Sequence, residues 1–202
     1  MTTTTCYSFV DSPLGQLFVC GDGAFITGLF MPAHKGWRGP DSAWRQSDAA
    51  FATVRAQLSE YFAGHRRQFD VPIRLDGTAF QQQVWQELVR IPYGTTITYA
   101  QLAHRVGNPT GSRAVGNANG RNPISIIVPC HRVIGVQGKL TGYAGGVDKK
   151  QWLLDWEQGQ AMEMQPHRLG SEERGTNAER TQETNVRTEQ SVRVRKQNLG
   201  YN

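Results

Sequence analysis

A chain of 202 residues with 22 Lys and Arg against 17 Asp and Glu, net charge +5, is long enough for one substantial domain or two small ones with a proper core. Its three cysteines, Cys6, Cys20 and Cys130, cannot all pair, and no charged start is followed by an apolar stretch, which argues against secretion and for a reducing cytoplasm. No apolar run approaches the roughly 18 residues that a membrane span requires.

Residues 1–5 offer nothing to bury. From Cys6 to Met31 short apolar runs are separated by Asp11-Ser12-Pro13-Leu14-Gly15 and Gly21-Asp22-Gly23, turn sequences that predict a three-stranded meander. His34 to Ser47 is rich in Gly, Pro and polar residues and reads as a loop. Ser47 or Asp48 is placed to cap a helix whose Phe51, Val54, Leu58, Tyr61 and Phe62 share one face, and Gly64 ends it. Gln68 to Leu75 reads as a short strand or linker. At Asp76-Gly77 a first domain, residues 1–75, hands over to a second, residues 76–157.

Thr78 with Gln81 is the signature of a capping box, opening a helix through Phe80, Val84, Trp85 and Leu88 that Ile91-Pro92 stops. Thr98 with Gln101 repeats the device for a short helix containing Leu102, Ala103 and Val106, closed by Gly107. Asn108-Pro109-Thr110-Gly111 then turns the chain into another helix around Arg113 to Ala118, and two short helices on a tight turn suggest a helix-turn-helix. The second helix carries Gly111, Ala114, Gly116, Ala118 and Gly120. Glycine weakens a helix by about 1 kcal/mol relative to alanine, so either approach to a nucleic-acid backbone or close packing has to account for this surface. Between Tyr99 and Lys150 seven basic residues stand against Asp148 alone, the electrostatic footprint of a polyanion partner.

Ile124 to Val128 is an apolar run of strand type that ends at Pro129, and Cys130, His131 and Arg132 follow at once. An ordinary cysteine has a pKa of about 8.5, and a neighbouring base or cation lowers it, so His131 and Arg132 mark Cys130 as a candidate nucleophile. Gly135 to Gly146 is a glycine-rich loop whose backbone N–H groups can wrap a flat ligand. Asp148 is placed to cap a last helix with Trp152, Leu153 and Trp156 inward and Glu157 at its far end. Residues 158–202, rich in Gln, Asn, Thr, Glu and Arg without periodicity, read as a disordered tail. Cys6, Cys20 and His34 lack metal-ligand spacing, so no metal is expected.

Pro129-Cys130-His131-Arg132-Val133-Ile134-Gly135 resembles the active-site signature of the O6-alkylguanine-DNA alkyltransferases. The resemblance runs from about Phe80 to Glu157, through Ile91-Pro92-Tyr93-Gly94, Thr98-Tyr99, Arg113-Ala114-Val115-Gly116, Asn122-Pro123 and Leu140-Thr141-Gly142-Tyr143-Ala144-Gly145-Gly146. It implies an α+β fold: a small N-terminal antiparallel sheet-plus-helix domain, then a mainly helical domain with a helix-turn-helix and the active-site cysteine. It implies a monomer that binds double-stranded DNA, flips O6-alkylguanine and also O4-alkylthymine out of the stack, and moves the alkyl group irreversibly to Cys130, once per molecule and without a cofactor. In that scheme His131 is the base acting through a water, Glu157 orients it, and Asn122 braces the turn before the nucleophile. Tyr99, Val133, Tyr143, Ala144 and Gly145 form the substrate pocket; Tyr99, Asn108 and Arg113 contact DNA, Arg113 as the finger that enters the stack.

The sequence departs from the family pattern at Asn119, where several relatives carry a larger apolar residue, at Ala144, where some carry serine, and at Gly111-Ser112 ahead of the finger. These departures leave alkyl size open, as the motifs leave cooperativity on DNA open. Two other functions compete: a lesion-binding relative without chemistry, which lacks the cysteine, and a helix-turn-helix regulator that senses alkylation, which would bring an additional domain.

Overall fold

β1 (Cys6–Val10), β2 (Leu17–Gly21) and β3 (Ile26–Phe30) form the expected antiparallel meander, with Val10 opposite Leu17 and Phe18 opposite Phe30. The computed structural model describes residues 4–34 and 39–159, which lie within one compact unit. A fourth strand, β4 (Arg45–Gln46), pairs parallel to β1 inside the stretch that reads as loop, giving the sheet order β3-β2-β1-β4. Central β2 is buried along its whole length. On one face Leu17 and Val19 join the core, and on the other Tyr7, Phe18 and Trp44 stack.

α1 (Ala52–Phe62) follows a 3-10 turn, Ala49–Phe51, and buries Val54, Leu58 and Tyr61 as the helical period predicts. Of the two candidate caps, Ser47 accepts from the Ala50 N–H at 3.4 Å, whereas Asp48 makes no cap bond and instead accepts from the Ser8 hydroxyl at 2.6 Å, a bond to β1 that takes the carboxylate away from the helix start. Gly64 ends the segment with φ +78°, a left-handed conformation that glycine adopts without strain. Gln68 to Leu75 forms no strand beyond a bridge of Ile73 to Ile26.

Both capping boxes form. Thr78 opens α2 (Ala79–Val89) and Thr98 opens α3 (Tyr99–Arg105), each side chain accepting from the third residue on while that residue's glutamine returns a bond to the cap. α4 (Ser112–Gly120) completes the helix-turn-helix, and the indole N–H of fully buried Trp85 on α2 donates to the Ala118 carbonyl at 2.9 Å, clamping α2 to α4. Packing within the chain demands neither Gly116 nor Gly120: a Cβ on Gly116 would make ordinary 3.7 Å contact with the Tyr99 ring, and one on Gly120 would meet nothing within 4 Å.

The run Ile124 to Val128 is not a strand. Val128 N–H bonds to the Ile124 carbonyl at 3.0 Å and Ile127 N–H to Ser125 at 2.8 Å, so the segment is wound into turns, with Ile126 at φ +71°. The edge of β3 holds it there, because Leu29 donates to the Pro123 carbonyl and Ser125 donates to the Leu29 carbonyl, both at 2.9 Å. The free strand edge is thereby covered and the segment leading to Cys130 anchored in one step. β5 (Ile97–Thr98) and β6 (Val133–Ile134) then pair parallel on either side of it in sequence.

α5 (Val147–Glu157) is capped by Gly146 at φ +99°, with Asp148 in its first turn rather than at the cap. Trp152 and Leu153 are buried, and Trp156, stacked on Trp152, donates to the Tyr61 carbonyl at 3.1 Å. The predicted disordered tail lies outside the described residues from residue 160 onward. Among the described residues no helix is long and apolar enough to cross a membrane.

Replacing Trp85 by phenylalanine keeps an aromatic ring but removes the donor to Ala118, so unfolding free energy should fall by about 1–3 kcal/mol, read as a lower urea midpoint with an unchanged slope.

Candidate active site

Cys130, His131 and Arg132 form one turn of 3-10 helix, and all three are buried. What holds the turn is Asn122. Its Oδ1 accepts from Ile124 N–H at 3.0 Å, while its Nδ2 donates to the Val128 carbonyl at 2.7 Å and reaches the Cys130 Sγ at 3.0 Å. One buried amide therefore winds the Ile124–Val128 segment and touches the sulfur, which is why a strand-like sequence folds as a tight turn here.

His131 and Arg132 converge on Glu157, which reaches them from the end of α5. Glu157 Oε1 lies 2.9 Å from His131 Nε2 and accepts from Arg132 Nη2 and Tyr61 Oη at 2.8 Å each; Oε2 accepts from Arg132 Nε at 2.8 Å and Gly94 N–H at 3.1 Å. Burial alone would raise this carboxyl, but the bonds and charges of His131 and Arg132 outweigh it and hold Glu157 well below the usual carboxylate range. Gly94 sits at φ +71°, and a Cβ there would stand 3.1 Å from the Glu157 carbonyl oxygen, so the close approach of this loop requires glycine. Arg132 is fixed again by Nη1, 2.6 Å from the Ile91 carbonyl, and lies over the Tyr93 ring.

These contacts fix the imidazole's protonation. Burial pushes His131 below its ordinary value against the pull of Glu157, so the ring is neutral, and an ionised carboxylate can only accept, so the ring proton lies on Nε2. Nδ1, buried and without a protein partner among the described residues, is left as an acceptor.

Cys130 departs from the expectation of a lowered pKa. Burial raises the thiol, and the opposing influences of Asn122, Lys150 and Tyr143 do not overcome it. The cation that reaches the sulfur is Lys150 of α5, while Arg132, adjacent in sequence, is turned onto Glu157. Lys150 is wholly buried, donates to the Val133 carbonyl at 2.6 Å and lies 5.7 Å from the centre of the Tyr99 ring. Burial holds its pKa below the ordinary lysine value.

Cys130, His131, Glu157 and Asn122 are thus brought together, and Tyr99, Val133 and Tyr143 surround them. The Tyr143 hydroxyl is buried beside Cys130 and Ser125 but outside hydrogen-bonding geometry, and burial, reinforced by the charge that Cys130 can carry, holds its pKa well above the ordinary phenol value. Ala144 is half-buried beside it, and Gly145 packs against Met31, where a Cβ would stand 2.8 Å from the Met31 sulfur. Asn108 and Arg113 stand apart from the thiol: half-buried Asn108 occupies the turn between α3 and α4, and Arg113 is exposed at the start of α4. Among the described residues no three His, Cys, Asp or Glu side chains are placed to hold a metal ion.

The sequence reading missed Lys150, Tyr61 and Gly94; Asn119, read there only as a departure that leaves alkyl size open, donates its Nδ2 to the Cys130 carbonyl at 3.3 Å. A lysine in an otherwise apolar inward stripe with Leu153 and Leu154 was the one available signal for Lys150. Tyr61 reads as helix core and offered none.

Residues 79–159 match the family model described as "6-O-methylguanine DNA methyltransferase, DNA binding domain", and residues 5–75 match "6-O-methylguanine DNA methyltransferase, ribonuclease-like domain". The methylated-DNA–protein-cysteine methyltransferase of Mycobacterium tuberculosis is 48% identical over 155 residues, 77% of this chain and 93% of the relative. That of Methanosarcina acetivorans is 49% identical over 152 residues, 75% and 97% of the two chains. A crystal structure of Mycobacterium tuberculosis OGT in complex with DNA aligns with a TM-score of 0.72 at 48% identity, covering 77% of this chain and 94% of that one.

Two outcomes follow from the buried network. Glu157→Gln leaves the Arg132 charge without a counter-ion and should cost about 3–5 kcal/mol in chemical denaturation. His131 and Glu157 both titrate lower folded than unfolded, so at acid pH the unfolded chain binds more protons. The melting temperature should be flat above pH of about 6.5, decline as His131 of the unfolded chain protonates, and drop further below pH of about 4.5 as Glu157 contributes.

Proposed function

The chain belongs to the 6-O-methylguanine DNA methyltransferase family and is a DNA-repair alkyltransferase, and we propose that Cys130 is the alkyl acceptor, activated by His131 under the control of Glu157. The observation that carries this reading is the free acceptor on His131. With its Nε2–H committed to Glu157, a neutral imidazole presents Nδ1 as a base to the Cys130 thiol through one water.

The alkyl carbon on guanine O6 is displaced in line by sulfur. The S–C bond forms as the C–O bond breaks, the thiol proton passes to His131, and the leaving guanine takes up a proton, which Tyr99 delivers at N3. Because burial keeps the resting thiol protonated, the thiolate exists only alongside the imidazolium that made it. Glu157 stabilises that imidazolium, and Lys150 and the Asn122 amide stabilise the sulfur charge. The product is a thioether with no reducing route back, so each molecule reacts once.

The guanine must leave the duplex to meet a buried sulfur, at a cost of a few kcal/mol. Exposed Arg113 at the start of α4 is positioned to fill the gap, and Asn108 to contact the backbone beside it. Gly116 and Gly120 of α4, which internal packing does not require, suit close approach to DNA. Tyr143, Ala144 and Gly145 line the base pocket. The Val133 carbonyl, though it accepts from Lys150, retains a second lone pair for the guanine amino group. O4-alkylthymine is proposed as a second, poorer substrate. The division into domains at 1–75 and 76–157 and a cytoplasmic location are part of the same reading, the latter supported by the three free cysteines among the described residues.

Incubation with duplex DNA containing O6-methylguanine should add one methyl mass to Cys130 and then stop, with none added to Cys130→Ala. His131→Gln should retain lesion binding and slow transfer by about 100-fold or more. Tight lesion binding with no mass change would favour the non-catalytic reading instead.

A further inference from the structure

Beside the active-site turn lies a cavity of about 400 Å³, within the range of small-molecule sites. Its lining comes from the loop after α1, the end of α2 with the loop that follows, the wound segment at Ile126 and Ile127, and Arg132. No residue of α3 or α4 takes part, and neither do Cys130, Tyr99, Val133 or Tyr143. The cavity is therefore distinct both from the pocket proposed for the base and from the helix-turn-helix.

Phe69, Tyr93, Ile126 and Ile127 give it apolar walls, while Arg67, Arg90 and Arg132 give it three cations with no Asp or Glu in the lining. The arginines differ in what holds them. Arg90 is exposed and pairs with Glu87. Arg67 is exposed and has no carboxylate partner among the described residues; its guanidinium carbon stands 5.6 Å from the centre of the Tyr93 ring. Arg132 is only 6% exposed, and its guanidinium carbon stands 5.8 Å from the centre of the same ring. Two of its bonds go to Glu157 and one to the Ile91 carbonyl, which takes three of the five N–H hydrogens that a guanidinium offers. One hydrogen on Nη1 and one on Nη2 remain, in a buried group that lines the cavity. Among the described residues no acceptor is supplied for either, and buried donors are seldom left so.

An uncommitted guanidinium, a second one with spare donors and an aromatic ring in contact with both match an anion carried on a flat apolar body. Carboxylate or phosphate oxygens accept charge-assisted bonds from arginine, and a ring packs on Tyr93 and the isoleucines. A bare inorganic anion would leave the apolar walls wet, and an uncharged ring would leave the arginine donors unused. We propose that this cavity is a binding site for a small planar aromatic anion, held by Arg67 and Arg132 against the Tyr93 ring. The inference is independent of the alkyltransferase reading, since the proposed acceptor and base lie outside the cavity.

The test is calorimetric titration of the full chain with naphthoate, naphthyl phosphate, neutral naphthalenemethanol and inorganic phosphate, with isoleucine and valine methyl spectra locating the site. Saturable one-to-one binding of an aromatic anion is expected, with a dissociation constant below about 1 mM, and the tighter of the two names the preferred oxyanion. The neutral alcohol and inorganic phosphate should each bind at least about tenfold more weakly, and Arg67→Glu, at an exposed position, should weaken the aromatic anion by at least about tenfold. The methyl signals of Ile126 and Ile127 should shift on binding. No saturable binding of either aromatic anion, equal affinity for the neutral alcohol or for inorganic phosphate, an unchanged affinity in Arg67→Glu, or shifts confined to Val133 in the base pocket would each overturn the assignment.

Discussion

The ionised carboxylate of Glu157 is the constraint on which the site depends. A buried carboxylate is costly unless nearly all of its lone pairs are used, and here five hydrogen bonds reach it, from Tyr61 on α1, Gly94 on the loop after α2, and His131 and Arg132 on the active-site turn. Four separate stretches of chain, counting α5 itself, are therefore registered against one group. Because Arg132 balances its charge, Glu157 can hold His131 in a single tautomer without drawing a second proton into the site. Asn122 does the complementary work on the other side of the turn, fixing the sulfur while Glu157 fixes the base.

This arrangement changes the picture of activation that the amino-acid order suggests. Adjacent His and Arg would be expected to depress the thiol pKa, yet the folded chain buries Cys130 and turns Arg132 away from it. A resting thiol that stays protonated is a poor nucleophile toward adventitious electrophiles and oxidants, which suits a group that can be used once. In the proposed mechanism reactivity arises when the sulfur's proton moves to His131, and Lys150 supplies the positive charge that a transient thiolate needs in a dry site.

Much of this was legible in the sequence because it was local. Thr78 and Thr98 each carry a glutamine three positions on, and both capping boxes form; the helical period of Phe51 to Phe62 and the turn chemistry at Gly21-Asp22-Gly23 act over a few residues. The Cys130 motif, backed by spaced family signatures, pointed to the family that the comparisons show. Where the reading failed, a distant partner decided. Ile124 to Val128 has the composition of a strand, but Asn122 and the edge of β3 take its backbone groups and coil it. Asp48 is a good cap by type, but Ser8, 40 positions away, claims its side chain. Lys150 and Tyr61 carry no local mark of their roles, since burial against Val133 and Glu157 is visible only once the chain is folded.

The central claim is that Glu157 holds His131 neutral, with its proton on Nε2 and Nδ1 free to accept the thiol proton. The 15N chemical shifts of the His131 ring, followed from pH of about 7 to pH of about 8 in the unreacted protein, test it directly. A pyrrole-like Nε2 and a pyridine-like Nδ1 throughout that range are predicted. An imidazolium near pH 7, or the proton on Nδ1, would contradict the account.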